Sequence, residues 1–226
     1  MVSTRPSTLV VVAGTGTEVG KTWVAVRLIE QLVARGVTVA ARKPAQSFEA
    51  DDPSGSTDAG LLAAASGEPL EVVCPPHRWY PTPMAPPMAA DSLGRGAVTL
   101  DDLVDEVADS WPRPTAQVGL VELAGGLWSP AAHDGDGIEL TRRLGPDQVL
   151  LVADAGLGTL NAVRPALRAL AELAAPNGPL RVTVLLNRFD ETVELHRRNA
   201  EWLRAHEQIE AHTTVEEISG GLVTLD

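Results

Sequence analysis

The stretch 9-LVVVAGTGTEVGKTWV-24 decides how the rest of the chain is read. An apolar run leads straight into Gly14, a glycine-containing turn follows, and after Lys21 the pattern becomes helical: strand, loop, helix. In such a turn the backbone N–H groups curl around an anion at the positive end of the helix. Lys21 is then placed for the outer phosphates and the Thr22 hydroxyl for a magnesium ion. The common form of this loop has four residues between its first Gly and the Gly-Lys pair; from Gly14 there are five here, so the turn is a variant phosphate-binding loop. An ordinary Gly-rich connection would leave the Gly-Lys-Thr order unexplained.

Outward from that loop, short apolar runs alternate with helical patterns. Strands are expected at 8–13, 37–42, 117–124, 148–155 and 180–187, each nearly continuous in Val, Leu and Ala, as in strands covered on both faces. Helices are expected at 21–34, 99–110, 160–174 and 191–206. The alternation implies right-handed βαβ crossovers. The expected fold class is therefore α/β, a three-layer, doubly wound, mostly parallel sheet, with residues 1–226 forming a single domain. Ligands collect at the carboxyl ends of such strands.

The second strand is followed by 42-RKPAQS-47, where Lys43 sits at the strand end and Pro44 forces an extended exit. The third runs into 121-VELAGG-126, where Glu122 is an acid on an otherwise apolar strand. It is costly there unless hydrogen-bonded or near a cation, and a magnesium ion beside Thr22 would supply one. Asp58, in 56-STDAGLL-62, is either a second carboxylate for that ion or a helix cap or first-turn acid. From Pro69 to Pro87 the chain carries seven prolines and cannot be continuous helix or central strand. This excursion either faces substrate or is a surface loop. The acidic run 101-DDLVDEVAD-109 reads as the solvated face of a helix, with Leu103, Val104 and Val107 inward.

Composition narrows the partners. A net charge of −12 argues against nucleic acid and anionic membranes. Cys74 is the only cysteine, so no intramolecular disulfide forms. No stretch approaches about 18 uninterrupted apolar residues and no apolar leader opens the chain, so a cytoplasmic location is expected. His77, His133, His196, His206 and His212 lack zinc-ligand spacing.

The set 14-GTGTEVGKT-22, 43-KPAQS-47, 57-TDA-59 and 121-VELAGG-126, in this order and near these separations, closely resembles dethiobiotin synthetase, a P-loop NTPase-type ligase of biotin biosynthesis. The resemblance implies that 7,8-diaminononanoate, CO2 and ATP or another nucleoside triphosphate are converted into the cyclic urea dethiobiotin, through a carbamate and a carbamic–phosphoric anhydride. It implies catalytic roles for Lys43, Lys21, Thr17 and Ser47. Nucleotide contacts would come from Gly16, Thr17, Glu18, Val19, Gly20, Lys21, Thr22, Asp58, Glu122, Gly125 and Asn187, and a Mg2+ ion would be held by Thr22, Asp58 and Glu122. Substrate contacts would come from Thr17, Lys43, Ser47, Gly125 and Gly126. The stretch 154-DAGLGTLNAV-163 resembles the loop that holds the substrate carboxylate, giving Gly158, Thr159 and Asn161; Asn161 reads equally well as a helix-start residue. A homodimer is implied too, and residues 83–86 fall where the family lines its diamine pocket.

The departure lies after Asn187, where the family commonly carries a Gly-x-Ile-Pro loop over the base. This chain ends with 211-AHTTVEEISGGLVTLD-226 instead. The base site is therefore expected to be loose or to prefer a base other than adenine, with triphosphate contacts dominating affinity. Three rivals fit less well. The 187-NRFD-190 stretch looks like the guanine-reading motif of small GTPases, but Arg188 replaces its lysine, and 134-DGDG-137 is expected in a loop. Partitioning ATPases carry an early lysine where this loop has Thr15, Gly16 and Thr17. Amide-forming relatives carry a glutamine-hydrolysing domain that this chain is too short to hold.

Overall fold

Within each central strand, odd and even residues bury into different cores. In β1 (Thr8–Gly14) Leu9, Val11 and Ala13 enter one cluster, and Val10 and Val12 the other. Continuous apolarity with a period of two is the signature of a strand covered on both faces, and the computed structural model bears it out. The structure describes residues 5–176, 178–207 and 209–222; the 223–226 end of the tail lies outside them.

Five further strands join β1 in one sheet: β2 (Val39–Arg42), β3 (Val118–Glu122), β4 (Gln148–Asp154), β5 (Arg181–Asn187) and β6 (Ala211–His212). Their order is β6-β5-β4-β1-β3-β2 and every pairing is parallel. One face is covered by α1 (Lys21–Ala34), α2 (Asp58–Ser66) and α9 (Val215–Leu222), through residues such as Leu28, Leu62 and Ile218. The other is covered by α5 (Leu100–Asp109), α6 (Gly137–Leu144), α7 (Thr159–Ala171) and α8 (Glu194–His206), through Leu103, Ile138, Val163 and Leu203. This is the expected three-layer, doubly wound arrangement. The chain turns back at β1, leaving a crevice at the carboxyl ends of β1, β3 and β2.

Boundaries move where side chains compete with the ladder. The helix expected from 191 begins at Glu194, because the Asp190 carboxylate accepts from Thr192 N at 2.8 Å and Thr192 Oγ1 at 2.6 Å and holds a turn. Within the central sheet and its two helical layers, three elements lie outside the sequence expectation. One is α6, capped by Asp136 accepting from Glu139 N at 3.0 Å, so the 134–137 stretch ends in a helix start. The others are β6, paired over only Val184–Leu185 of β5, and α9 after it. The proline-rich excursion breaks into α3 (Leu70–Val73), a 3-10 turn at Pro76–Arg78, a two-residue ladder of Gln46–Ser47 with Trp79–Tyr80, and α4 (Pro86–Ser92). Val104 is half-buried, while Leu103 and Val107 are buried as expected. No described helix is long and apolar enough to cross a membrane.

Candidate active site

Strand parity aims the two residues that sequence reading found at strand ends. Glu122 shares its face of β3 with Val118 and Leu120, the face that packs on α1 and α2. Lys43 continues the parity of Val39 and Ala41, again toward α1. Both side chains therefore arrive beside the N-terminus of α1, where Lys21 and Thr22 stand. Arg42, of opposite parity, goes to the other layer, where it pairs with Glu68 at 2.8 Å and lies 4.8 Å over the Trp111 ring.

The loop is held open from behind. Thr15 N donates to Val152 O at 3.0 Å and Leu127 N to Gly14 O at 2.8 Å. Asn187 Nδ2 donates to Val19 O at 2.9 Å and Arg188 to Glu18 O at 2.7 Å. Positive φ at Glu18 (58°) and Gly20 (89°) curls the backbone into the kind of turn whose N–H groups can cradle an anion. Glycine is required at 20 twice over: for that φ, and because a Cβ would stand 2.1 Å from Asn187 Nδ2.

Against this cradle lies a buried charge cluster. Lys43 is 1% exposed and its Nζ donates to Glu122 Oε1 at 2.6 Å and Asp58 Oδ2 at 2.7 Å. Thr22 Oγ1 lies 2.7 Å from Asp58 Oδ1 and 2.9 Å from Glu122 Oε1, although one hydroxyl carries one proton and cannot donate fully to both. Asp58 is free to join because Thr57 caps α2, its hydroxyl accepting from Gly60 N at 3.2 Å. This resolves the two readings of Asp58: it is a first-turn acid and also part of the cluster.

Burial opposes the charge on Lys43, but the carboxylates of Asp58 and Glu122 outweigh it and lift its pKa above the ordinary lysine value. The Lys43 ammonium holds Asp58 down at about 2. Burial raises Glu122, and Lys43 draws it back. The pair is ionised, because Lys43 lies between two carboxylates and Glu122 receives its hydrogen bond directly. Lys21, its Nζ 3.2 Å from Gly16 O, is lowered by burial and then by repulsion from Lys43. Cys74, pushed up to about 12 by burial, is an unreactive thiol.

The donor set suits a hard divalent cation. Glu122 Oε2 is buried without a hydrogen-bond partner, and Asp58, Glu122 and Thr22 present oxygens on one spot. Among the described residues no three His, Cys, Asp or Glu side chains gather as a metal cluster. Two carboxylates and a hydroxyl match magnesium, which takes one or two carboxylates and completes its shell with water and phosphate oxygens.

A cavity of about 710 Å³ opens over the cluster. It brings together Thr17, Glu18, Gly20, Lys21, Thr22, Lys43, Ser47, Asp58, Glu122 and Gly125, and its far wall is Pro83 to Pro86. Ser47 Oγ is buried there without a protein partner. Gly16, Val19 and Gly126 stand just behind: a Cβ on Gly126 would come 3.0 Å from Gly16 Cα. Gly158, Thr159 and Asn161 do not line it; Gly158 takes φ 94° ahead of α7, Thr159 is buried and Asn161 exposed. Sequence reading missed Ser129 and Arg188 on the wall. For Ser129 the signal was the glycine pair three residues earlier: Gly125 has φ 66°, and Ser129 Oγ accepts from Gly126 N at 2.9 Å.

A second cavity of about 470 Å³ lies between Gly20, the end of β5 and residues 213–216. Although the chain lacks the Gly-x-Ile-Pro sequence, the segment after β6 thus walls the place beside Asn187.

The AAA domain family model matches residues 8–221. The ATP-dependent dethiobiotin synthetase of a Caulobacter species is 41% identical over 160 residues, covering 70% of this chain and 68% of the relative. That of Phenylobacterium zucineum is 35% identical over 199 residues, with coverage of 84% and 83%. That of Rhodopirellula baltica is 34% identical over 233 residues, with coverage of 96% and 87%. Among solved structures, a plasmid partition protein of Borrelia burgdorferi bound to AMPPNP superposes with a TM-score of 0.57 at 11% identity, covering 98% of this chain and 92% of that one. A ParA family ATPase of Chlorobium tepidum gives 0.53 at 12% identity, covering 95% and 86%. At those identities the solved structures speak to the fold alone.

Proposed function

The chain belongs to the ATP-dependent dethiobiotin synthetases, and from that premise we propose that it closes the cyclic urea of dethiobiotin from 7,8-diaminononanoate, CO2 and ATP in the larger cavity. The observation that carries the residue roles is the meeting around one cavity of Lys43, Asp58 and Glu122, from three separate turns, with Lys21 and Thr22 at the start of α1.

One amine of the diamine attacks CO2, forming an N–C bond and releasing a proton. The carbamate oxygen then attacks the γ-phosphorus, and the bond to the diphosphate leaving group breaks. The second amine attacks the carbonyl carbon of the mixed anhydride, loses a proton, and expels phosphate. No protein nucleophile enters these steps. Such transfer asks the protein for positioning and charge neutralisation. A magnesium ion held by Thr22, Asp58 and Glu122 would neutralise charge on the phosphate oxygens. Lys21 faces the outer phosphates. Lys43 reaches the carbamate by giving up one of its two carboxylate contacts, which its four-carbon stem permits. Ser47, whose hydroxyl lacks a protein partner, donates to the carbamate together with Thr17.

A homodimer is part of the reading: Gly158, Thr159 and Asn161 hold the carboxylate tail of the substrate in the neighbouring subunit. Leu157, 93% exposed, supports an interface at that loop.

The test is phosphate release and product mass with isotopically labelled bicarbonate. Release that needs both diamine and bicarbonate, with one labelled carbon in a ring product, is expected. Equal phosphate release without the diamine would overturn the reading.

A further inference from the structure

The two cavities share Gly20 and Arg188. An elongated ligand whose anionic end lies against Lys21 therefore has its other end directed, past Gly20, into the smaller one. The walls of that cavity are unlike those of the larger: Trp23 and Phe189 line it together with Leu185, Val215 and Asn187.

Trp23 is the more telling of the two aromatics. The buried stripe of α1 consists of Lys21, Val24, Ala25, Leu28, Ile29 and Leu32, and Trp23 lies off it, 55% exposed. It adds little to the core, although a buried tryptophan is among the largest apolar contributors a fold can have. Of the other four tryptophans, Trp111 is buried, Trp79 and Trp202 pack against the two cores, and Trp128 is as exposed as Trp23 but lines neither cavity. The guanidinium of Arg27, one turn along α1, lies over one face of the Trp23 ring at 5.7 Å from its centroid. That contact steadies the indole at the cavity wall.

We propose that Trp23 is the stacking residue of a nucleobase subsite in the smaller cavity, with Phe189 on the facing wall. It determines affinity for the nucleoside end of the triphosphate without sharp choice among bases. Every base has a π-face, so a stacking wall selects for a planar heterocycle and is tolerant of its edge pattern. The inference rests on the reading that the loop at residues 14–22 takes a nucleoside triphosphate. It gives that reading's loose base site a physical origin.

The experiment compares Trp23→Ala and Trp23→Phe with the natural chain in calorimetric binding of Mg-ATP, Mg-CTP and Mg-tripolyphosphate. Thermal melts check folding, and ring closure by the natural chain is assayed alongside. Trp23→Ala is expected to weaken ATP and CTP alike by roughly five- to hundredfold, the range for losing one base–aromatic stack. It should leave tripolyphosphate within about twofold, and Trp23→Phe should recover most of the loss. ATP bound by Trp23→Ala as tightly as by the natural chain would overturn the inference. So would tripolyphosphate weakened as much as ATP, or a loss confined to one base. If the natural chain makes no ring product while the base-dependent loss is seen, the proposed reaction fails and the stacking stands. If it makes product and Trp23→Ala binds ATP normally, only the stacking fails.

Discussion

Replacing Lys43 with methionine removes the one cation between two carboxylates while keeping the volume of its stem. In the natural chain Lys43 is 1% exposed and Glu122 0%, joined at 2.6 Å. Removing one partner of a buried pair costs about 3–5 kcal/mol, because the other is left as an uncompensated charge. Asp58 adds little to that figure, since its side chain is 44% exposed. For a chain of this length about 1 kcal/mol corresponds to roughly 2–4 °C, so Lys43→Met should melt roughly 6–20 °C lower at pH 8 without nucleotide. The loss depends on pH with a definite sign. Without Lys43 to draw it down, the carboxyl of Glu122 climbs further above its unfolded value of about 4.3. The penalty is then full when the group is charged and fades as protons return to it. The deficit against the natural chain should narrow between pH 8 and pH 5.5. The other members do not blur this window. Asp58, held down at about 2, contributes stability that is present above its unfolded value and lost only as pH falls toward 2. Lys43, whose pKa is raised, contributes stability that is complete below its unfolded value and lost only in strong alkali.

The decisive assay is a double-mutant cycle by urea unfolding at both pH values. Glu122→Gln removes the stranded charge, so Lys43→Met with Glu122→Gln should recover much of what Lys43→Met loses, a coupling of about 2 kcal/mol or more. Singles that simply add, or a deficit equal at pH 5.5 and pH 8, would refute the buried ion pair. In turnover, Lys43→Met should lose at least about a hundredfold in kcat while still binding Mg-ATP, since the role proposed for it falls on the carbamate side of the cavity.

Gly20→Ala places a Cβ against the Asn187 amide at a φ of 89°; a melting temperature at least about 4 °C lower, with Mg-ATP binding lost in calorimetry, is expected. Asn187→Ala removes the hydrogen bond that anchors Val19 O. A loss of about 1 kcal/mol in Mg-ATP affinity, some five- to tenfold in Kd, should follow with tripolyphosphate affected equally. Leu157→Asp, at the most exposed large apolar side chain among the described residues, should yield monomers in sedimentation and raise KM for the diamine more than KM for ATP.

What the sequence made legible follows from how locally each feature is coded. The loop, its helix and the five long strands were readable because they rest on contiguous patterns: α1 spans Lys21–Ala34, as the periodicity predicts. Lys43 and Glu122 were readable because a charge at the end of an apolar strand is conspicuous by its cost, and parity in the pleat then fixes the face it meets. Asp58 was ambiguous because a helix-start acid looks the same whether it caps or reaches across; only the Thr57 hydroxyl, accepting from Gly60 N, frees it. β6 could not be seen, since two residues at a sheet edge carry no period and exist through pairing with Val184 and Leu185.

Arg188 shows the deeper limit. Beside Asn187 it resembled a failed guanine motif, yet its left-handed backbone (φ 57°) sends the guanidinium to Glu18 O and Asp154, 170 and 34 residues away. A residue whose role is to hold a distant carbonyl leaves no mark in its own neighbourhood. Trp23 is the converse case: it lies inside the most readable stretch of the chain, and periodicity alone would leave it as an exposed side chain. The role proposed for it depends on the start of α9 and the segment before it, which line the same cavity. The cavity proposed for the base is therefore closed only by residues 213–216, in the stretch where the Gly-x-Ile-Pro sequence is missing. The loop proposed to face the triphosphate, residues 14–22, is complete near the other end of the chain and is legible there as a contiguous pattern.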